Sequence, residues 1–288
     1  MKIAALLFIF ICVFGGFILS GGKMEPVLKA LPFEIMIIGG AAVGAFLIAN
    51  SMHTVKATLK GLNCMIKPEA HNKESYLELL SVLFMLFKLA RSKGWLALES
   101  HIEEPEASDL FSQFPGFQHN HHAVHFLCDY LRIISLGNEN PHEIEALMDE
   151  EIETLEHEFM HPSHAMQTMA DGIPALGIVA AVLGVIKTMG SITEPPEVLG
   201  KMIGGALVGT FLGVFLAYGF VGPLAGALAT KGESQILYYR AIKVAMLAFL
   251  NGAAPQVAVE FARKFLPHHV QPTFLELEEK LNELPSPG

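Results

Sequence analysis

The chain has 288 residues, 52% of them hydrophobic and 17% charged, with a mean hydropathy of +0.44. That is too apolar for an ordinary water-soluble domain and too charged for a bundle lying wholly in lipid, so part belongs in a membrane and part in water. A formal charge of -10 argues against a nucleic-acid partner, which needs a basic footprint, and Cys12, Cys64 and Cys128 lack the paired spacing of a disulfide framework or thiolate metal site.

Four windows of roughly 17 or more residues with few charges are long enough to cross a hydrocarbon core of about 30 Å as helices. They cover residues 3–20, 33–50, 173–189 and 202–222. The first exceeds the apolar run of a signal peptide and lacks a small-x-small cleavage site, so it is expected to be retained. Lys2 before it, and His53, Lys56, Lys60 and Lys67 after the second, place positive charge on one side, which is the cytoplasmic side by the positive-inside rule. Gly21–Pro32 is then a short outer loop and Ser191–Lys201 a second one, with Lys231, Arg240 and Lys243 back in the cytoplasm and both termini inside.

The expected fold is an all-α membrane protein: four transmembrane helices, with a largely helical cytoplasmic domain formed by residues 53–170 and the tail 227–288. Leu77, Leu80, Leu83, Phe84, Phe87 and Ala90 recur at helical spacing. So do Phe126, Tyr130, Ile133 and Ile134, and again Ile144, Leu147, Met148 and Ile152. The tail predicts helices over 236–250, 256–265 and 274–284.

His119, His121, His122 and His125 cluster where a loop enters a helix, in a spacing that suits no single metal geometry. The acidic run from Asp149 to Glu158 reads as a solvated helix face. Within it His157, Glu158 and His161 spell H-E-x-x-H, the zinc-protease pattern of two imidazoles one turn apart with a carboxylate to activate water. Acidic neighbours and Pro162, expected to end the helix after His161, weigh against that enzyme, and neither a metal nor catalysis is expected.

Pro174 near the start of the third window and Pro223 after the fourth are either a first-turn proline and a terminator, or a matched pair of flexible points in the bilayer. Gly40, Gly44, Gly177, Ala181, Gly184, Gly205, Gly209 and Gly213 allow close helix approach, within the chain or between chains. No Asp, Glu or His falls in the middle of a window: Glu34, Asp171 and Lys187 sit near window ends, where side chains snorkel, and mid-span polarity reduces to Thr210, with Tyr218 beyond it. A proton path needs a titratable group, so a partner helix is expected to supply it. Thr210 either faces that path or bonds its own preceding turn.

GGFILSGG (15–22), EIEALMDEEIET (143–154), DGIPALGIVAAVLGVI (171–186), VGTFLGVFLAYGFVGPLA (208–225) and AVEFARK (258–264) together resemble the MotA family of flagellar stator subunits along nearly the whole chain. The resemblance implies a bacterial inner-membrane protein assembled as a ring of five copies around a dimer of a single-span MotB-like partner, whose aspartate carries the ion. It implies coupling roles for Pro174 and Pro223 and an ion-path position for Thr210. Sodium-driven relatives tend to carry threonine where this chain has Ala181, whose methyl cannot replace part of sodium's hydration shell, so protons are expected. Lys88–Glu99 resembles the family's rotor-contacting region, with Arg91 and Glu99 at the charged positions that meet a FliG-like rotor protein, although Ser100 and His101 depart from the more basic versions. Glu145 and Glu150 are secondary candidates. The closest rival is an ExbB- or TolQ-like energy transducer, which shares the last two spans but lacks the first hairpin and the rotor segment.

Overall fold

A computed structural model describes residues 2–64 and 71–285; Lys67, counted above among the positive charges, lies outside them. The α-helices run α1 (Lys2–Leu19), α2 (Met24–Glu34), α3 (Gly40–Ala49), α4 (Met52–Cys64), α5 (Lys73–Lys93), α6 (Glu99–Glu103) and α7 (Pro115–Gln118). They continue as α8 (His121–Ser135), α9 (Pro141–Met189), α10 (Pro196–Leu216), α11 (Gly222–Leu250), α12 (Pro255–Phe265) and α13 (Phe274–Asn282), and no strand occurs among the described residues. Two compact units result: Met1–Pro68 with Met160–Thr230, and Glu69–Phe159 with Lys231–Gly288.

The first unit is built of apolar helices. Met24–Ala49, Pro141–Met189 and Pro196–Leu250 are each long and apolar enough to cross a membrane, and Ala4–Leu19 is a shorter apolar helix. The outer loop expected over Gly21–Pro32 shrinks, because α2 already begins at Met24 and continues through a π-helical turn (Ile35–Gly39) into α3. Pro26 lies in the first turn, where no N–H is needed, and Glu25 favours a helix start. Glu25 also pairs with Lys29 at 2.6 Å. The second loop is likewise shorter than Ser191–Lys201, since α10 starts at Pro196, again with proline and an acid in its first turn. Phe10 and Phe14 of α1 meet Phe215 of α10 edge-on, with ring centroids 5.5 Å apart in both pairs.

In the second unit α5 is apolar on nearly every face, as a central helix must be. Leu79, Leu80, Leu83, Leu86 and Phe87 are all buried there, each contributing about 1.5–3 kcal/mol for a fully buried large side chain, and Tyr76 is buried beside them. Phe87 stacks on Phe249 of α11 at 4.5 Å, and Phe126 of α8 meets Tyr239 edge-on at 5.1 Å. Leu147, expected in an apolar stripe, is instead 47% exposed. The acidic run is only partly a solvated face: Asp149 binds Lys243 of α11 at 2.6 Å, Glu156 pairs with Arg240, and Glu151 accepts from the Tyr130 hydroxyl at 2.7 Å. Lys243 and Arg240 are one helical turn apart, which is why they meet an acidic helix face together.

His71 is buried beside α11, its ring stacked on Tyr238 at 4.1 Å and its Nε2 hydrogen-bonded to Gln235 Oε1 at 3.2 Å. Burial lowers its pKa from the ordinary value, while the Gln235 bond opposes the shift. The folded chain therefore holds a neutral ring, whereas the unfolded chain takes up a proton below about pH 6.5, so stability from this site falls as pH drops through that value. The melting temperature of the purified chain should drop between about pH 7.5 and about pH 5.5, and less so in His71→Phe. Equal drops in the two proteins would remove His71 as the cause.

Candidate functional site

Glycines bring α9 and α10 of the first unit into backbone contact along one seam. A Cβ on Gly177 would lie 2.9 Å from the Gly209 carbonyl oxygen and 2.9 Å from the Gly213 Cα, and one on Gly184 would lie 2.6 Å from the Ala206 Cβ. Where no hydrophobic drive exists between helices in lipid, such backbone proximity supplies the packing. Gly40, Gly44 and Gly205, by contrast, would meet nothing within 4 Å, so their surface is open in the single chain.

The seam sets one sequence candidate, Ala181, against the chain neighbour of another, Thr210. The Cβ position of Gly209 is 3.1 Å from the Ala181 backbone nitrogen, which sets Ala181 of α9 beside the Gly209–Thr210 step of α10. Thr188 donates from Oγ1 to the Gly184 carbonyl at 2.9 Å, whereas Thr210 makes no such bond to its preceding turn among the described residues. Its hydroxyl is thus available to another group.

A third member of this neighbourhood, Glu34, is the residue the sequence placed near a window end as a snorkelling side chain. Although Glu34 closes α2, the helical run continues through it from Met24 to Ala49, and the residue is only 7% exposed. Its Oε2 has no hydrogen-bond partner among the described residues and lies 2.7 Å from where a Cβ on Gly209 would sit. The expectation that the apolar helices hold no interior acid is therefore corrected. The reason is the earlier helix start: the nine residues from Met24 to Pro32 precede Phe33, so Glu34 is the eleventh of the 26 residues in the helix rather than the second in the window.

Both prolines sit within helical runs rather than at their limits. Pro174 is an interior residue of the 49-residue α9, so it is no first-turn proline. The Ala170 carbonyl consequently loses its partner one turn back. Pro223 terminates nothing: it is the second residue of α11, directly after a π-helical turn (Ala217–Val221), in a helical stretch running from Pro196 to Leu250. Pro162 does not end the helix after His161 either. Tertiary bonds hold α9 on both sides of it, from His161 Nδ1 to Thr54 Oγ1 at 3.1 Å and from the Ser163 hydroxyl to the Ala225 carbonyl at 2.8 Å. His161 is thereby engaged with α4, and among the described residues no three His, Cys, Asp or Glu side chains are grouped to hold a metal. In the His119–His125 stretch, Asn120 caps α8 and His119 faces the Pro115 carbonyl.

In the second unit, Arg91 at the end of α5 and Glu99 at the start of α6 are both exposed, separated by Gly94 with φ 82 and a short 3-10 turn that leaves Leu96 76% exposed. Arg91 also donates to the carbonyls of Gly252 and Ala253 at 3.3 and 3.1 Å, so its guanidinium braces the end of α11 while remaining accessible. Glu145 lies 3.7 Å from Lys243, and Glu150 is exposed.

Apolar helices long enough for a bilayer, a glycine seam and a separate polar helical unit define a multi-helix protein of the membrane class. The model of the Motility protein A N-terminal region matches residues 3–94, and that of the MotA/TolQ/ExbB proton channel family matches residues 118–241. Motility protein A of Salmonella typhimurium is 41% identical over 276 residues, covering 96% of this chain and 93% of that protein. Its Escherichia coli counterpart is 42% identical over 275 residues, covering 96% and 92%. The solved structure of the flagellar MotAB stator complex from Bacillus subtilis superposes with a TM-score of 0.72 at 25% identity, over 92% of this chain and 95% of that one. The chain belongs to the Motility protein A family and is a flagellar motor stator subunit. The N-terminal match covers the first hairpin, which an ExbB- or TolQ-like subunit would lack, and the first part of the rotor-like segment, through residue 94 with Arg91 inside it.

Proposed function

We propose that the chain crosses the bacterial inner membrane four times, with both termini and the second unit in the cytoplasm, and that a ring of five copies encloses a single-span MotB-like partner whose aspartate carries protons. The observation that carries this reading is near full-length identity to Motility protein A, including the N-terminal hairpin. The apolar Ala4–Leu19 helix supports a fourth span beside the three longer ones. The open faces at Gly40, Gly44 and Gly205 suit contact with other helices.

Within that assembly Ala181 and Thr210 line the ion path, and the methyl of Ala181 favours protons over sodium. Pro174 and Pro223 couple ion passage to movement, supported by the backbone bond each omits within a helical run. Arg91 and Glu99 meet a FliG-like rotor protein through opposite charges on an exposed segment, a contact that is made and broken readily because salt screens it over about 8 Å. Glu145 and Glu150 are secondary contributors.

The test is motor speed in cells lacking their own stator, supplied with this chain and the single-span protein from its neighbouring reading frame. Speed should follow the proton gradient and ignore sodium; sodium dependence would overturn the ion assignment. In the same cells Arg91→Glu and Glu99→Lys should each cut swimming several-fold at unchanged membrane abundance, and a rotor charge change should partly restore it. Normal swimming in both reversals would remove the rotor contact.

A further inference from the structure

Glu34 has no part in the roles assigned above, yet it is a carboxyl enclosed by apolar helices. Its Oε2 makes no hydrogen bond, and the surrounding groups include Ala180, with its Cβ 3.1 Å from the Gly209 Cβ position, and the Ala181 backbone. An ionised carboxylate without a partner in such a setting costs several kcal/mol, and groups so placed neutralise by taking a proton. The notch that receives it exists because position 209 is glycine: a Cβ there would come within 2.7 Å of Oε2. The backbone widens into a π-helical turn at the next residue, Ile35–Gly39, a distortion found frequently at functional sites.

No opposite charge on the packed elements compensates Glu34. On α2, Glu25 and Lys29 pair with each other at 2.6 Å, and on α10, Glu197 and Lys201 do so at 3.4 Å. On the first-unit part of α9, Asp171 accepts from Gln167 at 2.8 Å, Lys187 is exposed, His161 bonds Thr54 and His164 is exposed.

We propose that Glu34 is a proton-binding site of this chain, seated in the Gly209 notch and loading and releasing a proton beside Ala181 and Thr210. The step is a simple exchange: the carboxyl O–H breaks to give carboxylate, its proton passes to a water molecule of the ion path, and the reverse reloads it. The inference rests on the proposed ion path only for that water and for the position of Ala181 and Thr210, since the buried carboxyl itself is independent of which ion drives the motor.

The experiment compares wild type, Glu34→Gln and Glu34→Asp, each purified with the single-span partner, by infrared difference spectroscopy between neutral and alkaline pH. Wild type should show the carbonyl stretch of a protonated carboxylic acid that disappears at alkaline pH; Glu34→Gln should lack that band and Glu34→Asp should keep one. In cells, Glu34→Gln should slow swimming several-fold and flatten the alkaline side of the speed-against-pH curve at unchanged membrane abundance. Spectra identical between wild type and Glu34→Gln, or superimposable speed-against-pH curves, would overturn the proposal. A missing band in a motor that runs on protons defeats this inference alone, and a present band in a motor that runs on sodium defeats only the ion assignment.

Discussion

Replacing Gly213 with valine is expected to stop swimming and to remove most of the chain from the membrane fraction. A Cβ at that position would lie 2.8 Å from the Gly177 Cα, 3.2 Å from the Gly177 nitrogen and 3.2 Å from the Ile173 carbonyl oxygen. All three are backbone atoms of α9, so no side chain can swing aside and the two helices must part. Overpacking costs about 1–3 kcal/mol where side chains can adjust, and a backbone wall puts the cost at or above the top of that range. Parting α9 from α10 also separates Ala181 from the Gly209–Thr210 step, so activity falls even for the chain that inserts. Gly200→Ala, where a Cβ meets nothing within 4 Å, is the control and should leave abundance unchanged. Immunoblots of membrane fractions with swimming speeds on the same cultures test this, and normal values for Gly213→Val would mean that the seam is looser than the described geometry.

The glycine seam was legible as a set of small residues but not as a partition. Spacing alone cannot tell Gly177 and Gly213, which touch one another, from Gly40 and Gly44, which face open space, because both sets satisfy the same helical period. The amphipathic stripe of α8 was legible since burial there follows helical periodicity, whereas α5 is buried on nearly every face and two residues of its stripe, Leu77 and Phe84, are only partly buried. Helix limits were not. Proline rules describe the local chain, and at Pro162 and Pro174 the lost backbone bond is outweighed by packing along a 49-residue helix. The misplacement of Glu34 follows from the same cause at Met24, where proline and an acid in the first turn start a helix that hydropathy alone began nine residues later. What could have found Glu34 was its lack of any basic residue one turn away, since Ala30, Leu31, Ile37 and Ile38 occupy those positions.

Arg263→Ala should loosen the end of the second unit by about 3 kcal/mol, the low end for breaking a buried ion pair, because Glu260 keeps a quarter of its side-chain surface in water. Arg263 is 5% exposed and forks onto Glu260, with Nε donating at 2.7 Å, while its third arm donates to the Pro272 carbonyl at 2.8 Å. That carbonyl immediately precedes Thr273, which caps α13 through a reciprocal bond pair with Glu276. Glu276, bonded to Lys73 of α5 and to Thr273, has its carboxyl lowered to about 2, so the cap stays charged throughout the physiological range. The guanidinium thus ties α12 to the start of α13, and α13 lays Leu277 and Leu281 into the same core as α5. Lysine at 263 would keep the charge but not the fork, placing Arg263→Lys between wild type and Arg263→Ala. Arg263→Met with Glu260→Leu should recover much of the loss, since no charge is then left unpaired. Hydrogen exchange across residues 255–282 of the full chain measures all four proteins. Unchanged protection there in Arg263→Ala would mean that the apolar contacts of Ala258, Val259 and Ala262 hold this end by themselves.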